Sequence, residues 1–164
     1  MWYLELITET DNVRIYSPKY EGETLSEFEK FLVSNQSHSN PQLKIFFDAI
    51  ISVVRKIEEC GARENLFRLE GGKVKAIPLV VHIRRLDKTV GKMRLYCLRL
   101  SERVLIIGNG GVTTARRYEE DPIHFAYVTK LRELDQHIWR LVRQAGTDFD
   151  DFKALTEIIQ SIII

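Results

Sequence analysis

The sequence predicts an α+β fold: a small antiparallel sheet with helices packed on one face and a helical extension at the C-terminus. Three observations lead there. Short runs rich in β-branched and aromatic residues occur near the N-terminus and between residues 79 and 107. Residues 41–60 and 123–144 carry apolar side chains at spacings of three and four, the period of a helix with one buried stripe. The strand-like runs lie together in the middle of the chain, so the helices pack onto a sheet that the strands form among themselves.

The elements follow in order. "WYLELIT" and "VRIYS", separated by "ETDN", read as a hairpin, and "SPKYEGET" as a loop. Thr24 has Glu27 three residues on, the capping-box spacing, before "LSEFEKFLVSN". Pro41 sits at a helix start, and the helix runs to Gly61 with Leu43, Phe46, Phe47, Ile50, Val53, Val54 and Ile57 in register. "RENLFRLEGGKVKAI" reads as short-strand or loop material with a Gly-Gly turn. Three strand-like runs follow: "PLVVHIR", "KMRLYCLRL" and "RVLIIGN", the last ended by Gly108, Gly110 and Gly111, with "GNGG" as a turn. After Pro122 an amphipathic helix carries Leu131, Leu134, Ile138 and Leu141. Asp148 caps a final one with Phe152, Leu155, Ile159 and Ile162. The expected division is a domain over 1–122 and a helical extension over 123–164 packed on it.

Composition narrows the class. The hydrophobic fraction, 45%, is ordinary for a globular chain. No run reaches the roughly 18 apolar residues of a membrane span, and the acidic "MWYLELITET" does not resemble a signal peptide. Cys60 and Cys97 show no metal spacing and read as reduced thiols, one in the core; His38, His82, His124 and His137 are scattered. These features point to a cytoplasmic protein without metal or small-molecule cofactor. The net charge of +1 hides an asymmetry: residues 63–117 hold 13 Lys and Arg against 4 Asp and Glu, while 1–36 and 118–164 are each net −4. A basic middle between acidic ends suggests an anionic partner, or a basic sheet neutralised by its own acidic helices.

Pairing "PLVVHIR" with "KMRLYCL" about the loop "DKTVG" sharpens the question. If opposed residue numbers sum to 178, Ile83 meets Leu95 and Val81 meets Cys97 on one face. Arg84 then meets Arg94, and His82 meets Tyr96, on the other. Opposed arginines repel across a sheet, and a phosphate between them reverses the sign. Arg116, Arg117 and Tyr118 follow the third strand and could close on the same face. Tyrosine rings among guanidinium groups suit stacked bases and backbone phosphates, so RNA is the expected ligand.

The succession "MRLYCLRLSERVLIIGNGG", then "ARRYEEDP" and a helix, resembles the RelE/HigB-like toxins of bacterial toxin–antitoxin pairs, over roughly residues 40–125. The resemblance implies an endoribonuclease that acts on mRNA, usually on the ribosome, and is silenced by a cognate antitoxin protein. It maps the family's strand arginine to Arg94 and its terminal basic and tyrosyl residues to Arg116, Arg117 and Tyr118. In such chemistry the ribose 2′-hydroxyl attacks the adjacent phosphate. Arg84, Arg94 and Arg117 stabilise charge, His82 has the range for proton transfer and Tyr118 stacks a base or donates a proton, while Lys92, Tyr96 and Arg116 bind RNA. Two departures stand out. The loop after "LIIGN" reads "GGVTT" where the family usually has lysines or histidines, and the chain runs about 40 residues past the family's usual end. The missing lysines favour the alternative, a non-catalytic relative that binds RNA or a protein.

Overall fold

The computed structural model describes residues 1–70 and 72–163. Gly71, half of the expected Gly-Gly turn, and Ile164, the last residue of "IIQSIII", lie outside the described residues. One sheet holds β1 (Trp2–Glu9), β2 (Arg14–Tyr20), β3 (Arg68–Leu69), β4 (Val74–Ile77), β5 (Lys92–Arg99) and β6 (Val104–Thr113), in the order β1-β2-β6-β5-β4-β3. The sheet is mixed rather than antiparallel, because β2 and β6 run parallel. The cause is the connection. After β2 the chain crosses one face through α1 (Glu27–Asn35) and α2 (Pro41–Cys60), and the meander β4–β5–β6 brings β6 back alongside β2 in the same direction.

The expected hairpin between residues 79–85 and 92–98 does not form. β5 pairs instead with β4, Val74 opposite Leu98 and Ile77 opposite Leu95. Pro78, which has no N–H to donate, stands where β4 ends, and residues 79–91 form an irregular loop. Its alternation holds over residues 80–84, where Val81 and Ile83 pack toward the core while His82 and Arg84 face out, but Leu79 is exposed. Gln42, at the start of α2, pins the far end of the loop. Its Nε2 donates to the carbonyls of Asp87 (3.0 Å) and Gly91 (2.7 Å), and its Oε1 accepts from the Asp87 N–H (2.9 Å).

Helices cover both faces of the sheet, not one. Met93, Leu95 and Cys97 of β5 join Leu105 and Ile107 of β6 under Phe28, Phe31, Phe46, Ile50, Val54 and Ile57 of α1 and α2. Tyr96 and Leu98 join Val104 and Ile106 under Val128, Leu131, Leu134 and Ile138 of α3 (Pro122–Gln144), and Leu155 and Ile159 of α4 (Phe152–Ser161). The C-terminal helices therefore close a core of their own. The capping box lies at Ser26 and Glu29, two residues beyond the expected pair, and Asp151 caps α4. Gly108, Gly110 and Gly111 are inside β6 and do not form a turn. Among the described residues no helix is long and apolar enough to cross a membrane. Cys97 is buried and Cys60 half-buried, and neither is in a disulfide.

β2 and β6 are paired only from Arg14–Tyr16, and beyond that they separate. A polar plug fills the gap. The Glu27 carboxylate, 7% exposed as a residue, accepts from Lys130 Nζ (3.4 Å) and Asn109 Nδ2 (3.1 Å), and Lys130 also donates to the Tyr20 hydroxyl. The plug links α1, α3 and both strands at the sheet end where the candidate site lies.

Candidate functional site

Beyond the end of β4, residues Lys92 to Arg94 of β5 have no neighbouring strand on that side, and the loop 79–91 covers them. Arg94 and Lys92 line a cavity of about 310 Å³ whose other wall is Phe46, Pro78, Leu79, Val81, Ile83 and Leu86. Lys92 also borders a second cleft of about 300 Å³ with Lys88, Thr113, Thr114 and Arg116, and its Nζ donates to the Arg116 carbonyl at 3.3 Å. The register Arg68–Ala76–Tyr96 across β3, β4 and β5 puts Arg68 on the same face as Arg94. Three cations thus gather around one end of β5.

Their electrostatics are unbalanced. Arg94 is 8% exposed; its Nη1 donates to the Met93 carbonyl (3.2 Å), and its Nε has no partner. Burial, then the charge of Arg68, brings its pKa down to about 10 against the pull of Glu70. Burial and the charges of Arg94 and Arg68 also lower Lys92. Glu70 lies 3.0 Å from Arg68 Nε, and Glu70 and Glu120 both pull on Lys92. Among the described residues, no ion pair joins a cation of the basic middle to an acid of either terminal segment. Weaker attractions act across the segments, Glu120 on Lys92 and Lys73 on Asp135.

Beside the cations lies a hydrogen-bonded chain. Tyr96 Oη is 2.7 Å from His124 Nδ1. Asp121 Oδ1 accepts from the N–H groups of Ile123 and His124, and Thr113 Oγ1 donates to Asp121 Oδ2 at 2.8 Å. Burial raises the Tyr96 pKa. Burial lowers that of His124, and the Asp121 carboxylate does not offset it. Both groups are therefore held neutral, and the imidazole tautomer sets which of them donates. Both rings are closed off, at 1% and 2% exposure.

A pH dependence follows. The folded-state pKa of His124 lies below its ordinary 6.5. The unfolded chain therefore binds this proton first as pH falls. The contribution of His124 to stability is complete above 6.5 and declines as pH drops through the folded value. Asp121, whose pKa is lowered from 3.8 because hydrogen bonds outweigh its burial, acts only in a more acid window. The urea midpoint is expected to fall between pH 7.5 and pH 5, and less so in His124→Gln; equal midpoints at the two pH values would refute this.

The structure brings Lys92, Arg94, Tyr96 and the backbone of Arg116 into one region. His82 and Arg84 are exposed on the outer side of the loop, so neither faces a β5 partner as the hairpin required. Arg117 is exposed, and Tyr118 stacks on Phe125 at 6.3 Å. Arg68, Glu70, Asp121 and His124 join the site without having been singled out for it. Their signal is register across β3–β5 and the first turn of α3, neither of which is local in sequence. Among the described residues no group of His, Cys, Asp and Glu is placed to hold a metal ion. No family model matches the chain, and no curated protein or solved structure matches it significantly.

Proposed function

We propose that this protein binds RNA and seats a backbone phosphate at the Lys92–Arg94 end of β5. Arg94 carries the reading. A guanidinium removed from water, with a free Nε and two further cations beside it, is unfavourable until an anion completes it. Exposed Arg84, Arg85, Lys88, Arg116 and Arg117 on the adjoining segments favour a polyanion over a lone ion. The order of α2, the β4–β5–β6 meander, the polar segment 114–121 and α3 is the order the toxin resemblance implies, with Arg94 at the family's strand arginine.

The second reading is the endoribonuclease, with ribosome-borne mRNA as substrate and a cognate antitoxin as partner. It uses the same arginine for charge stabilisation. It needs a proton acceptor near the 2′-hydroxyl, and here His82 points outward while His124 is held by Tyr96. That arrangement favours binding over cleavage. The test is a labelled single-stranded RNA titrated at 50 and 200 mM salt, beside an assay for 2′,3′-cyclic phosphate ends on free and ribosome-bound mRNA. Salt-sensitive binding that Arg94→Ala abolishes is expected. Binding absent at 50 mM salt, or unchanged in Arg94→Ala, would overturn the reading, and cyclic phosphate ends that depend on Arg94 would establish the second.

A further inference from the structure

We infer that α3 is a second RNA contact, a stacking track that leads a single strand away from the phosphate site. The inference takes its ligand from the reading above and assigns a role to the C-terminal helices. At 3.6 residues per turn, Phe125, Arg132, Trp139 and Arg143 fall within about 40° of one another on the helix surface. All four are exposed, with Phe125 at 45% and Trp139 at 40%. The row contains no acid. Arg140 flanks it, and among the described residues Arg132, Arg140 and Arg143 are absent from every ion pair.

Two aromatic rings spaced by guanidinium groups meet the needs of a single strand: π-faces for bases and cations for phosphates. The Trp139 ring is already oriented. Lys73 Nζ lies 4.3 Å from its centroid and the edge of Phe149 packs against it at 5.2 Å. Trp139, Arg140 and Arg143 line an open groove of about 520 Å³. At the other end Phe125 stacks on Tyr118, in the segment that carries Arg116 and Arg117 beside the Lys92 cleft. From Phe125 to Arg143 the helix rises about 27 Å, enough for several nucleotides. An acidic peptide would satisfy the arginines, but it brings no aromatic face to the parts of the Phe125 and Trp139 rings that are open to solvent.

The test compares labelled U12 and U3 oligonucleotides on the full chain, with Trp139→Leu, the double variant Arg140→Gln/Arg143→Gln, and Arg94→Met. All the α3 substitutions are at exposed positions, and melting curves confirm that each variant is folded. U12 is expected to bind more tightly than U3. Trp139→Leu should weaken U12 about tenfold and leave U3 unchanged. The double variant should reduce the slope of log affinity against log salt by about 1.4. U12 binding that depends on Arg94 but ignores both α3 variants would overturn the inference and leave the phosphate site standing. Dependence on α3 with indifference to Arg94 would do the reverse. Displacement of U12 by polyglutamate at equal charge concentration would identify an acidic protein surface as the occupant and also overturn it.

Discussion

Gly110→Ala is expected to lose about 4 kcal/mol or more of stability, enough to leave a chain of this size marginal or unfolded. A Cβ built at Gly110 falls 2.0 Å from the Arg94 carbonyl oxygen and 2.9 Å from both the Arg94 carbonyl carbon and Leu95 Cα. These are backbone atoms of β5, so no rotamer change relieves the overlap and the strands must separate. The glycine is needed because the pairing slips here: Leu95 faces Gly110 while Cys97 faces Ile107, so β6 carries one extra residue opposite Tyr96. Gly108→Ala is the comparison. Its nearest neighbour is a Leu131 methyl at 3.1 Å, the end of a side chain that can turn, and a loss of about 1 kcal/mol is expected. Thermal melts distinguish the two, since 1 kcal/mol corresponds to roughly 2–4 °C at this length. A Gly110→Ala melt within 3 °C of the parent would mean that β5 and β6 do not approach as described.

The same glycines show why the fold is unevenly legible in the sequence. "GNGG" has the composition of a turn, and only the backbone of β5, supplied from elsewhere, makes it a strand. Helix α2 was legible from end to end, because Pro41, the apolar stripe and Gly61 are local signals. The loop 79–91 was half legible: its in–out alternation is correct over residues 80–84, but its supposed partner is already paired with "VKAI" and Pro78 stands at the boundary. The paired residues of β2 and β6 lie 90 apart in sequence, Arg14 opposite Val104, and leave no local trace. The two-sided cover was available in principle. "VLII" is apolar on both rows, the mark of a strand buried on both faces, and Leu98 breaks the polar row of β5. A strand so covered cannot offer a flat cationic face. What remains of the proposed site is the end of β5 beyond the reach of β4, where Lys92 and Arg94 lie under the loop 79–91.

That remnant yields the sharpest expectation: Arg94→Met should make the protein more stable and unable to bind RNA. Holding the guanidinium at about 10 instead of 12.5 corresponds to a folded-state penalty on the order of 3 kcal/mol. The folded value is the lower one, so the folded chain releases this proton first as pH rises. The penalty is complete below about 10 and disappears between about 10 and 12.5. At neutral pH the whole of it opposes folding. Methionine keeps much of the apolar stem, removes the charge and relieves the repulsion from Arg68 and Lys92. Some packing is lost with the guanidinium, so a net gain of about 1–2 kcal/mol is expected, read as a higher urea midpoint. Phosphate or a short RNA should raise the midpoint of the parent and leave Arg94→Met unmoved, because a ligand stabilises only the chain that binds it. A structural arginine behaves oppositely: its removal lowers the midpoint, and anions act equally on both proteins. A stable variant that has lost RNA affinity would indicate that Arg94 is kept for its ligand at the expense of the fold.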